Sequence, residues 1–365
     1  MPLSAINPSQ YDTLLDEKVQ RVSALLGPYS PPQPDIFPSG KNAYRMRAEF
    51  RVWHEADNLD YVMFRPDDRK TPVPITQFPI ASQAIQDLMP KLMAKLKTNS
   101  TLRQRLFQVE FLSTLSGEML VTLVYHRKLD EQWTAEAQTL AQNFSIGVIG
   151  RSRKQKVVIA NSYVTEVLGI FDVQFSFRQY EQAFTQPNAN VNIKMIEWAC
   201  NCADDLKGDL LELYCGNGNF TLPLAGRFTQ IIATELSKTS IRAARENLET
   251  NGIENVEMIR LSAEEVTEAM AGKREFRRLA SLPKPLAEYN LNTVFVDPPR
   301  AGLDEHTEKM VTRFDSIIYI SCNPESLAEN LKTIHKTHTI EKFALFDQFP
   351  YTHHMECGVF LQRRK

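Results

Sequence analysis

The chain has 365 residues, of which 43% are apolar and 24% charged, with a net charge of −2. This length and composition predict two domains of ordinary size with substantial cores. Runs of eighteen or more uncharged apolar residues do not occur, which excludes a membrane-spanning helix. The first residues lack a basic stretch followed by an apolar one, so we expect no secretory signal.

The cysteines argue against a structural metal site. There are five, at Cys200, Cys202, Cys215, Cys322 and Cys357. They form no CxxC pair of the kind that binds zinc or an iron–sulfur cluster, so we expect neither a metal nor a cluster. An odd number of cysteines without a secretory signal predicts reduced thiols and a cytoplasmic protein.

The N-terminal half begins with a helix and continues as an α+β domain. Apolar spacing predicts a helix over residues 11–26. Five prolines between Gly27 and Gly40 predict a connector without regular structure. Short, partly alternating runs then predict antiparallel strands at 43–54, 59–64, 106–115 and 119–126, with helices at 80–97 and 130–143 between them. We therefore expect an N-terminal domain over residues 1–178 with a mainly antiparallel sheet.

Strands and helices alternate regularly after residue 178. Predicted strands occur at 209–214, 229–234, 256–260, 292–296 and 316–320, and predicted helices at 188–202, 220–226, 238–251 and 262–272. Such alternation is typical of a parallel sheet covered by helices on both faces, so the predicted fold class of residues 179–365 is α/β. Ligands of these sheets bind outside the carboxyl ends of the strands.

Two strand ends in this domain suggest a nucleoside site. The first strand ends in Cys215-Gly216-Asn217-Gly218-Asn219, which is neither a G-x-G-x-x-G fingerprint nor a P-loop. Glu235 ends the next strand, where a carboxylate can accept hydrogen bonds from both ribose hydroxyls. The alternatives are a plain strand-to-helix turn and a helix cap. Ribose recognition without a pyrophosphate-binding loop favours S-adenosylmethionine over a nicotinamide cofactor.

Two later strand ends add a carboxylate and a thiol. Asp297-Pro298-Pro299-Arg300 presents Asp297 rigidly, because paired prolines stiffen the backbone and block further pairing. Cys322, in Ser321-Cys322-Asn323-Pro324, follows the next apolar run and is a candidate nucleophile. A structural turn and a buried, inert cysteine are the alternatives. A reactive thiolate requires an electropositive or dipolar surrounding.

Taken together, the motifs resemble those of a known family. Gln186-Pro187, ELYCGNGNF, VDPPR, SCNP and HMECG occur in the order found in the RNA uracil-5-methyltransferases, and YRMRAEFRVWH and LFDQFPYTHHMECG resemble the bacterial enzymes of this family that act on tRNA. The resemblance covers nearly the whole chain. It implies a Rossmann-like S-adenosylmethionine-dependent methyltransferase domain preceded by an α+β, mainly antiparallel RNA-binding domain.

The resemblance also implies the chemistry and the residues that perform it. Cys322 is then the nucleophile that adds to carbon 6 of a flipped uracil, and Glu356 accepts the proton from carbon 5. The S-adenosylmethionine site is lined by Gln186, Tyr214, Asn219, Glu235 and Asp297. The expected product is 5-methyluridine in the T-loop of tRNA. We expect a monomer, and tmRNA as a second substrate and assistance of tRNA folding are further expectations.

Basic and aromatic residues of the N-terminal half are candidates for RNA contact. Residues 1–180 carry 21 Lys and Arg against 18 Asp and Glu, an excess that permits an RNA-binding face without establishing one. Strand alternation predicts that Arg45, Arg47 and Arg51 share one face, and Phe107 is suited to stacking on an unpaired base. An ordinary solvated sheet face is the alternative.

Three other functions remain open on the sequence. Ribosomal RNA methylation uses the same chemistry, but the resemblance implies an extra N-terminal β-barrel and a cysteine cluster for those relatives, and neither pattern is present here. Methylation of an adenine amino group also uses a D-P-P motif, but it leaves Cys322 without a role. An RNA-binding or RNA-folding protein that has kept the scaffold is the non-enzymatic alternative.

Overall fold

The structure is a computed structural model that describes residues 6–65 and 67–365. Its α-helices are α1 (Tyr11–Leu26), α2 (Gln83–Thr98), α3 (Ser100–Arg103), α4 (Glu131–Phe144), α5 (Ala189–Ala203), α6 (Thr221–Leu224), α7 (Lys238–Thr250), α8 (Ala263–Met270), α9 (Glu305–Val311) and α10 (Pro324–Ile334). Its strands are β1 (Asp35–Phe37), β2 (Arg47–Glu55), β3 (Asn58–Met63), β4 (Val73–Pro74), β5 (Leu106–Ser113), β6 (Met119–Tyr125), β7 (Gly147–Ser152), β8 (Gln155–Ile159), β9 (Tyr163–Ile170), β10 (Val173–Tyr180), β11 (Asp209–Leu213), β12 (Ile231–Thr234), β13 (Val256–Ile259), β14 (Leu291–Val296), β15 (Ser316–Ser321), β16 (His338–Phe346) and β17 (Glu356–Arg363).

The first of two compact units contains Gly40–Val167 and Arg178–Ala189. Its seven-stranded sheet has the order β4-β3-β2-β5-β6-β7-β8. The predicted antiparallel character is confirmed for every adjacent pair except β6–β7, which is parallel because α4 forms the crossover between these strands. β9 and β10 form a separate two-stranded ribbon.

The core of this unit lies between one face of the sheet and its helices. Along β2, Ala48, Phe50 and Val52 are buried, whereas the residues between them are at least partly exposed. The buried side chains join Leu92 of α2 and Trp133 of α4 in one apolar cluster. The period of two therefore directs alternate β2 residues to the core and leaves the others on the opposite face.

The second unit contains Gln10–Ser39, Leu168–Phe177 and Asn190–Lys365. Its eight-stranded sheet has the order β1-β16-β17-β15-β14-β11-β12-β13. β11 to β15 are parallel and β17 runs antiparallel to both of its neighbours, as in a Rossmann-like α/β fold. The strand order reverses between β11 and β14, and the crevice at such a switch point is the expected ligand site of an open α/β sheet.

Two features differ from the sequence-based prediction. The helix predicted at 11–26 is confirmed as α1, but α1 belongs to the second unit and not to a domain ending at residue 178. The reason is that its apolar residues Val22 and Leu26 join the core around β11 and β14. The connector was also predicted to lack regular structure, and this was wrong. β1 lies between Pro34 and Pro38 and pairs with β16 alone, as an edge strand can do beside proline.

Within residues 6–65 and 67–365, no helix combines the length and the apolar character that a membrane span requires.

Candidate active site

The thiol of Cys322 lies in a tight strand-to-helix turn. β15 ends at Ser321 and α10 begins at Pro324, whose missing N–H suits the first turn of a helix. The Ser321 Oγ accepts a hydrogen bond from the Asn323 backbone N–H at 3.2 Å, and the Asn323 side chain donates to the Arg300 carbonyl at 2.8 Å. These bonds hold Cys322 at the carboxyl end of β15, half-buried and without a disulfide partner.

Strand register brings the predicted base opposite the predicted nucleophile. β15 and β17 are antiparallel, with Ile320 opposite Gly358 and Ser321 opposite Cys357. One further step of this register places Cys322 opposite Glu356, the first residue of β17. Directly opposite residues of an antiparallel pair have Cβ atoms about 4.5–5.5 Å apart and side chains on the same face. The thiol and the carboxyl are therefore neighbours.

Gly358 is required for the packing of β17. A Cβ atom at this position would lie 2.7 Å from the Trp198 ring of α5, closer than side chains approach. The absence of a side chain lets the indole lie against the strand two residues from Glu356. This packing explains the glycine of the HMECG motif.

A cluster of carboxyl groups surrounds the thiol. Asp297 follows β14, where one further step of the register places it between Tyr214 of the β11 loop and Ile320 of β15. Burial raises the pKa of Asp297 to about 7. Burial, reinforced by the charge of Asp297, raises the pKa of Glu356 to about 8. Because desolvation penalises the charged form, both carboxyls hold protons far more readily than they would in water.

The charged groups around Cys322 are mainly acidic. Burial, together with the charges of Glu356 and Asp297, raises the pKa of its thiol to about 11. Among the described residues, Arg300 is the cation that acts in the opposite direction. The requirement stated from sequence is therefore met only by Arg300 and by the N-terminus of α10, whose dipole favours negative charge. With a pKa of about 11, Cys322 is predominantly a thiol near pH 7.

The glycine loop and Glu235 form a second part of the site. Tyr214, Gly216 and Gly218 all have positive φ angles, of 61°, 57° and 88°. This conformation is rare for a tyrosine and marks a constrained turn. One Glu235 oxygen accepts from the Gly216 N–H at 3.2 Å and the other from the Ser237 N–H at 2.6 Å. The carboxylate thus supports the loop and also lies at the start of α7. Its position is compatible both with ribose binding and with capping of the helix.

Asn219 and Tyr214 are held at the two sides of this loop. The side-chain amides of Asn219 and Asn192 exchange two hydrogen bonds, of 2.8 and 2.9 Å. Burial, with the charges of Asp304 and Glu264, raises the pKa of Tyr214 to about 12, so its hydroxyl remains a donor. A half-buried carboxylate, an oriented amide and a hydroxyl beside an open glycine fit a nucleoside carrying a cationic group.

The sequence of the chain is similar to those of known proteins over its whole length. A family model described as tRNA (Uracil-5-)-methyltransferase matches residues 10–364. The chain belongs to this family. It is 52% identical to the tRNA/tmRNA (uracil-C(5))-methyltransferase of Photobacterium profundum, over 100% of both chains. It is 53% identical to the protein of the same name from Acinetobacter baumannii, over 97% of this chain and 99% of the relative.

A solved structure has the same fold. The Pyrococcus abyssi tRNA (uracil-54, C5)-methyltransferase, in complex with S-adenosyl-L-homocysteine, has a TM-score of 0.72 and covers 96% of this chain and 83% of its own. At 21% sequence identity this match supports the fold class alone. The family resemblance predicted from the motifs is thus confirmed by sequence, and the Rossmann-like methyltransferase fold by structure.

The predicted cofactor residues divide between the two units. Tyr214, Asn219, Glu235 and Asp297 all lie at the carboxyl end of the second unit's sheet. Gln186 belongs to the first unit, where it is half-buried and precedes Pro187, whose carbonyl accepts from the Met46 N–H at 2.8 Å. Its role therefore stays a prediction from the family resemblance.

The other cysteines and the two histidines near Glu356 have surroundings that do not suit a metal site. Cys200 and Cys202 are buried on α5, and burial raises the pKa of each thiol to about 12. His354 accepts from the Arg300 guanidinium at 3.3 Å through its Nδ1 and contacts the His353 ring. Among the described residues, no group of three or more His, Cys, Asp or Glu could hold a metal ion.

Sequence reasoning missed two residues of the site. Glu212 is fully buried in β11, and burial, with Asp297 nearby, raises the pKa of its carboxyl to about 8. Asn192 orients Asn219 from α5. The sequence does contain a sign of Glu212's unusual position, because it is the one charged residue within the apolar run Leu210–Leu213. For Asn192 no local pattern existed, because its partner lies 27 residues later in the chain.

Proposed function

We propose that this protein transfers a methyl group from S-adenosylmethionine to carbon 5 of the T-loop uridine of tRNA. Relatives that share half of its sequence are named for uracil-C(5) methylation of tRNA and tmRNA, which makes tmRNA the second substrate to consider. The observation that carries the proposal is the register of β15 and β17: Ser321 lies opposite Cys357, so the next residues, Cys322 and Glu356, are neighbours, and Asp297 raises the pKa of both. Methylation of carbon 5 of uracil requires a nucleophile that adds to carbon 6 and a base that removes the proton from carbon 5. Methylation of an amino group requires no such covalent addition.

Cys322 activates the ring by covalent addition. The Cys322 thiol loses its proton to solvent and its sulfur forms a bond to carbon 6, while the C5–C6 π electrons are delocalised onto the C4 carbonyl oxygen as an enolate. S-adenosylmethionine supplies the methyl group when bound and leaves as a neutral thioether. The enolate electrons form the bond from carbon 5 to that methyl as the methyl–sulfur bond breaks. Carbon 5 then bears both the new methyl group and its original proton.

Glu356 completes the reaction as the base. Its carboxylate takes the proton from carbon 5, the released electron pair restores the C5–C6 double bond, and the bond from carbon 6 to sulfur breaks. Cys322 is thereby regenerated. The raised pKa of Glu356, to about 8, makes it a stronger base than an exposed carboxylate, which suits removal of a proton from carbon.

The cofactor side of the site follows from the glycine loop. Glu235 is proposed to accept hydrogen bonds from the two ribose hydroxyls, since its carboxylate has acceptor capacity beyond the bonds from Gly216 and Ser237. Asn219, Tyr214 and Asp297 complete the proposed binding residues of the second unit, and Gln186 is proposed from the family resemblance alone. Asp297 also lies close enough to Cys322 to face the uracil.

The outer face of the first unit's sheet is the proposed RNA-binding surface. Arg51 is exposed and its guanidinium lies 3.8 Å from the centre of the Phe107 ring, which stacks on His126 at 4.0 Å. This arrangement provides the charge and the stacking surface that an unpaired base requires. Arg45 and Arg47 are half-buried and donate to backbone carbonyls, Arg47 to those of Glu181 and Ala183 at 2.9 and 3.2 Å. We therefore place RNA contact at Arg51 and Phe107.

Arg51→Met should weaken tRNA binding and lower its dependence on salt. Loss of one phosphate-contacting cation reduces the slope of log K against log salt by about one. Binding titrations at several salt concentrations measure this slope. Lys91→Met is the matched control, because Lys91 is exposed on α2, in the helical layer that covers the opposite face of the sheet. An unchanged slope for Arg51→Met would show that the RNA binds elsewhere on the protein.

Mapping the methyl group tests the proposed reaction directly. Unmodified transcripts of tRNA, tmRNA and ribosomal RNA are incubated with the protein and labelled S-adenosylmethionine, and the labelled nucleotide is identified. We expect 5-methyluridine in the T-loop of tRNA and in the matching arm of tmRNA. Label found only in ribosomal RNA would show that ribosomal RNA, and not tRNA, is the substrate. RNA binding without any methylation would favour a non-enzymatic role in RNA folding.

A further inference from the structure

A buried cation of α1 holds both ends of the loop that precedes the proposed base. The Lys18 side chain is buried, and its ammonium donates to the Asp347 carboxylate, to the Phe349 carbonyl at 3.3 Å and to the His354 carbonyl at 3.1 Å. An ammonium has three N–H donors, so each finds an acceptor. Asp347 directly follows β16 and His354 lies two residues before Glu356.

Arg21, one helical turn further along α1, extends the same set of contacts. Its guanidinium donates to the His353 carbonyl at 2.8 Å and to the Glu325 carboxylate at 2.6 Å. Glu325 is in the first turn of α10, the helix that begins just after Cys322. One face of α1 is thus bonded to the loop of the base and to the helix of the nucleophile.

Apolar contacts also attach α1 to the unit. Val22 and Leu26 already pack α1 into the apolar core. Burying a lysine carries a desolvation penalty, and apolar residues of similar volume often replace a buried ion pair without loss of stability. The polar contacts differ from apolar ones in that they fix the positions of particular carbonyl groups. Their specific effect is on the path of the loop.

We propose that Lys18 and Arg21 are positioning residues for proton abstraction, because they set the loop Asp347–Met355 so that the Glu356 carboxyl faces the adduct on Cys322. This inference rests on the proposed roles of Cys322 and Glu356. α1 is then part of the catalytic unit in function as well as in packing. The step that depends on it is the last one, removal of the proton from carbon 5 and release of the RNA.

Lys18→Met tests the proposal in a single-turnover assay. Protein, labelled S-adenosylmethionine and unmodified tRNA are mixed and quenched in denaturant, and the protein–RNA adduct and the free methylated RNA are measured over time. We expect the adduct to form within a few-fold of the normal rate and to release RNA roughly 10- to 100-fold more slowly, the usual effect of losing a residue that orients a reacting group. Adduct should therefore accumulate.

Three further variants make the result decisive. Arg21→Met removes only the more exposed of the two α1 cations, so it tests positioning even if Lys18→Met fails to fold. We expect the adduct to accumulate in this variant too, to a smaller degree. Lys18→Arg keeps a cation and should restore part of the release rate. Lys332→Met removes an exposed lysine of α10 that pairs with Glu329, outside the contacts of α1, and it should release RNA at the normal rate.

Two results would overturn the inference. One is normal release in both Lys18→Met and Arg21→Met. The other is an equal fall in adduct formation and release, which marks a general structural defect. Glu356→Gln is run in the same assay: if it gives no adduct, the proposed mechanism fails, whereas adduct with Glu356→Gln but not with the α1 variants rejects the positioning role alone.

Discussion

Cys322→Ala should reduce methyl transfer to tRNA by about 10⁴- to 10⁶-fold, the range seen when a covalent nucleophile is removed. Without the thiol, carbon 6 is not attacked and carbon 5 never gains the electron density that accepts a methyl group. The measurement is methyl incorporation under single-turnover conditions. The denaturant-resistant adduct with 5-fluorouridine RNA should disappear in parallel, because it requires the same sulfur.

Binding measurements separate this loss from unfolding. The half-buried Cys322 side chain makes no hydrogen bond that anchors the turn, since Ser321 and Asn323 do so. Affinities for tRNA and for S-adenosylmethionine should therefore stay within a few-fold of normal. Cys202→Ala is the matched control, a buried thiol on α5 that is not in the site. Methylation by Cys322→Ala at the normal rate would refute the covalent mechanism.

Glu356→Gln should stop the reaction one step later and trap the methylated RNA on the protein. The amide has nearly the shape of the carboxyl but cannot take a proton from carbon 5, so elimination of the thiolate fails. We expect turnover to fall by about 10²- to 10⁴-fold, the usual contribution of a general base. The adduct is measured as a protein–RNA band that survives denaturant.

The pH dependence provides a second test of the base. The pKa of Glu356 is raised to about 8 by burial and by Asp297, so its carboxylate fraction increases as the pH rises from 7 to 9. RNA release by the unmodified protein should accelerate over this range. In Glu356→Gln the residual rate should lack this dependence. A wild-type release rate that is independent of pH would assign the base to another group.

The same shift predicts the effect on stability. Between the ordinary pKa of 4.5 and about 8, the unfolded chain ionises at Glu356 while the folded protein retains the proton, so this residue contributes less stability as pH rises. A glutamine at this position does not ionise, so the stability of Glu356→Gln does not fall with pH for this reason. Glu356→Gln should be at least as stable as the unmodified protein at pH 8, so its defect cannot come from unfolding.

Much of the fold could be predicted because local patterns control it. The buried parallel strands read as short apolar runs, and the helices between them as periodic ones, so β11 to β15 lie close to their predicted ranges. The motif residues stand at strand ends, where chain order alone implies a shared edge. Cys322, Asp297 and Glu235 were therefore identifiable before any coordinates.

Pairings between distant segments could not be predicted in this way. α1 was assigned to the N-terminal domain because it precedes the antiparallel strands, and its apolar stripe does not reveal which core it joins. The Lys18–Asp347 contact spans 329 positions of the chain. Arg45 and Arg47 matched the pattern of a free basic face, but their guanidinium groups are used by nearby carbonyls.

The sequence by itself determined the family, the order of the strands along the chain, and the presence of one thiol and one carboxyl in motifs at the end of the sheet. Only the tertiary structure decided that these two groups are neighbours at the ends of β15 and β17, that burial and Asp297 raise the pKa of both, and that α1 contacts the loop of the base. The physical reason is desolvation: a side chain's pKa and orientation depend on what surrounds it in space, and those neighbours come from segments far apart in the chain.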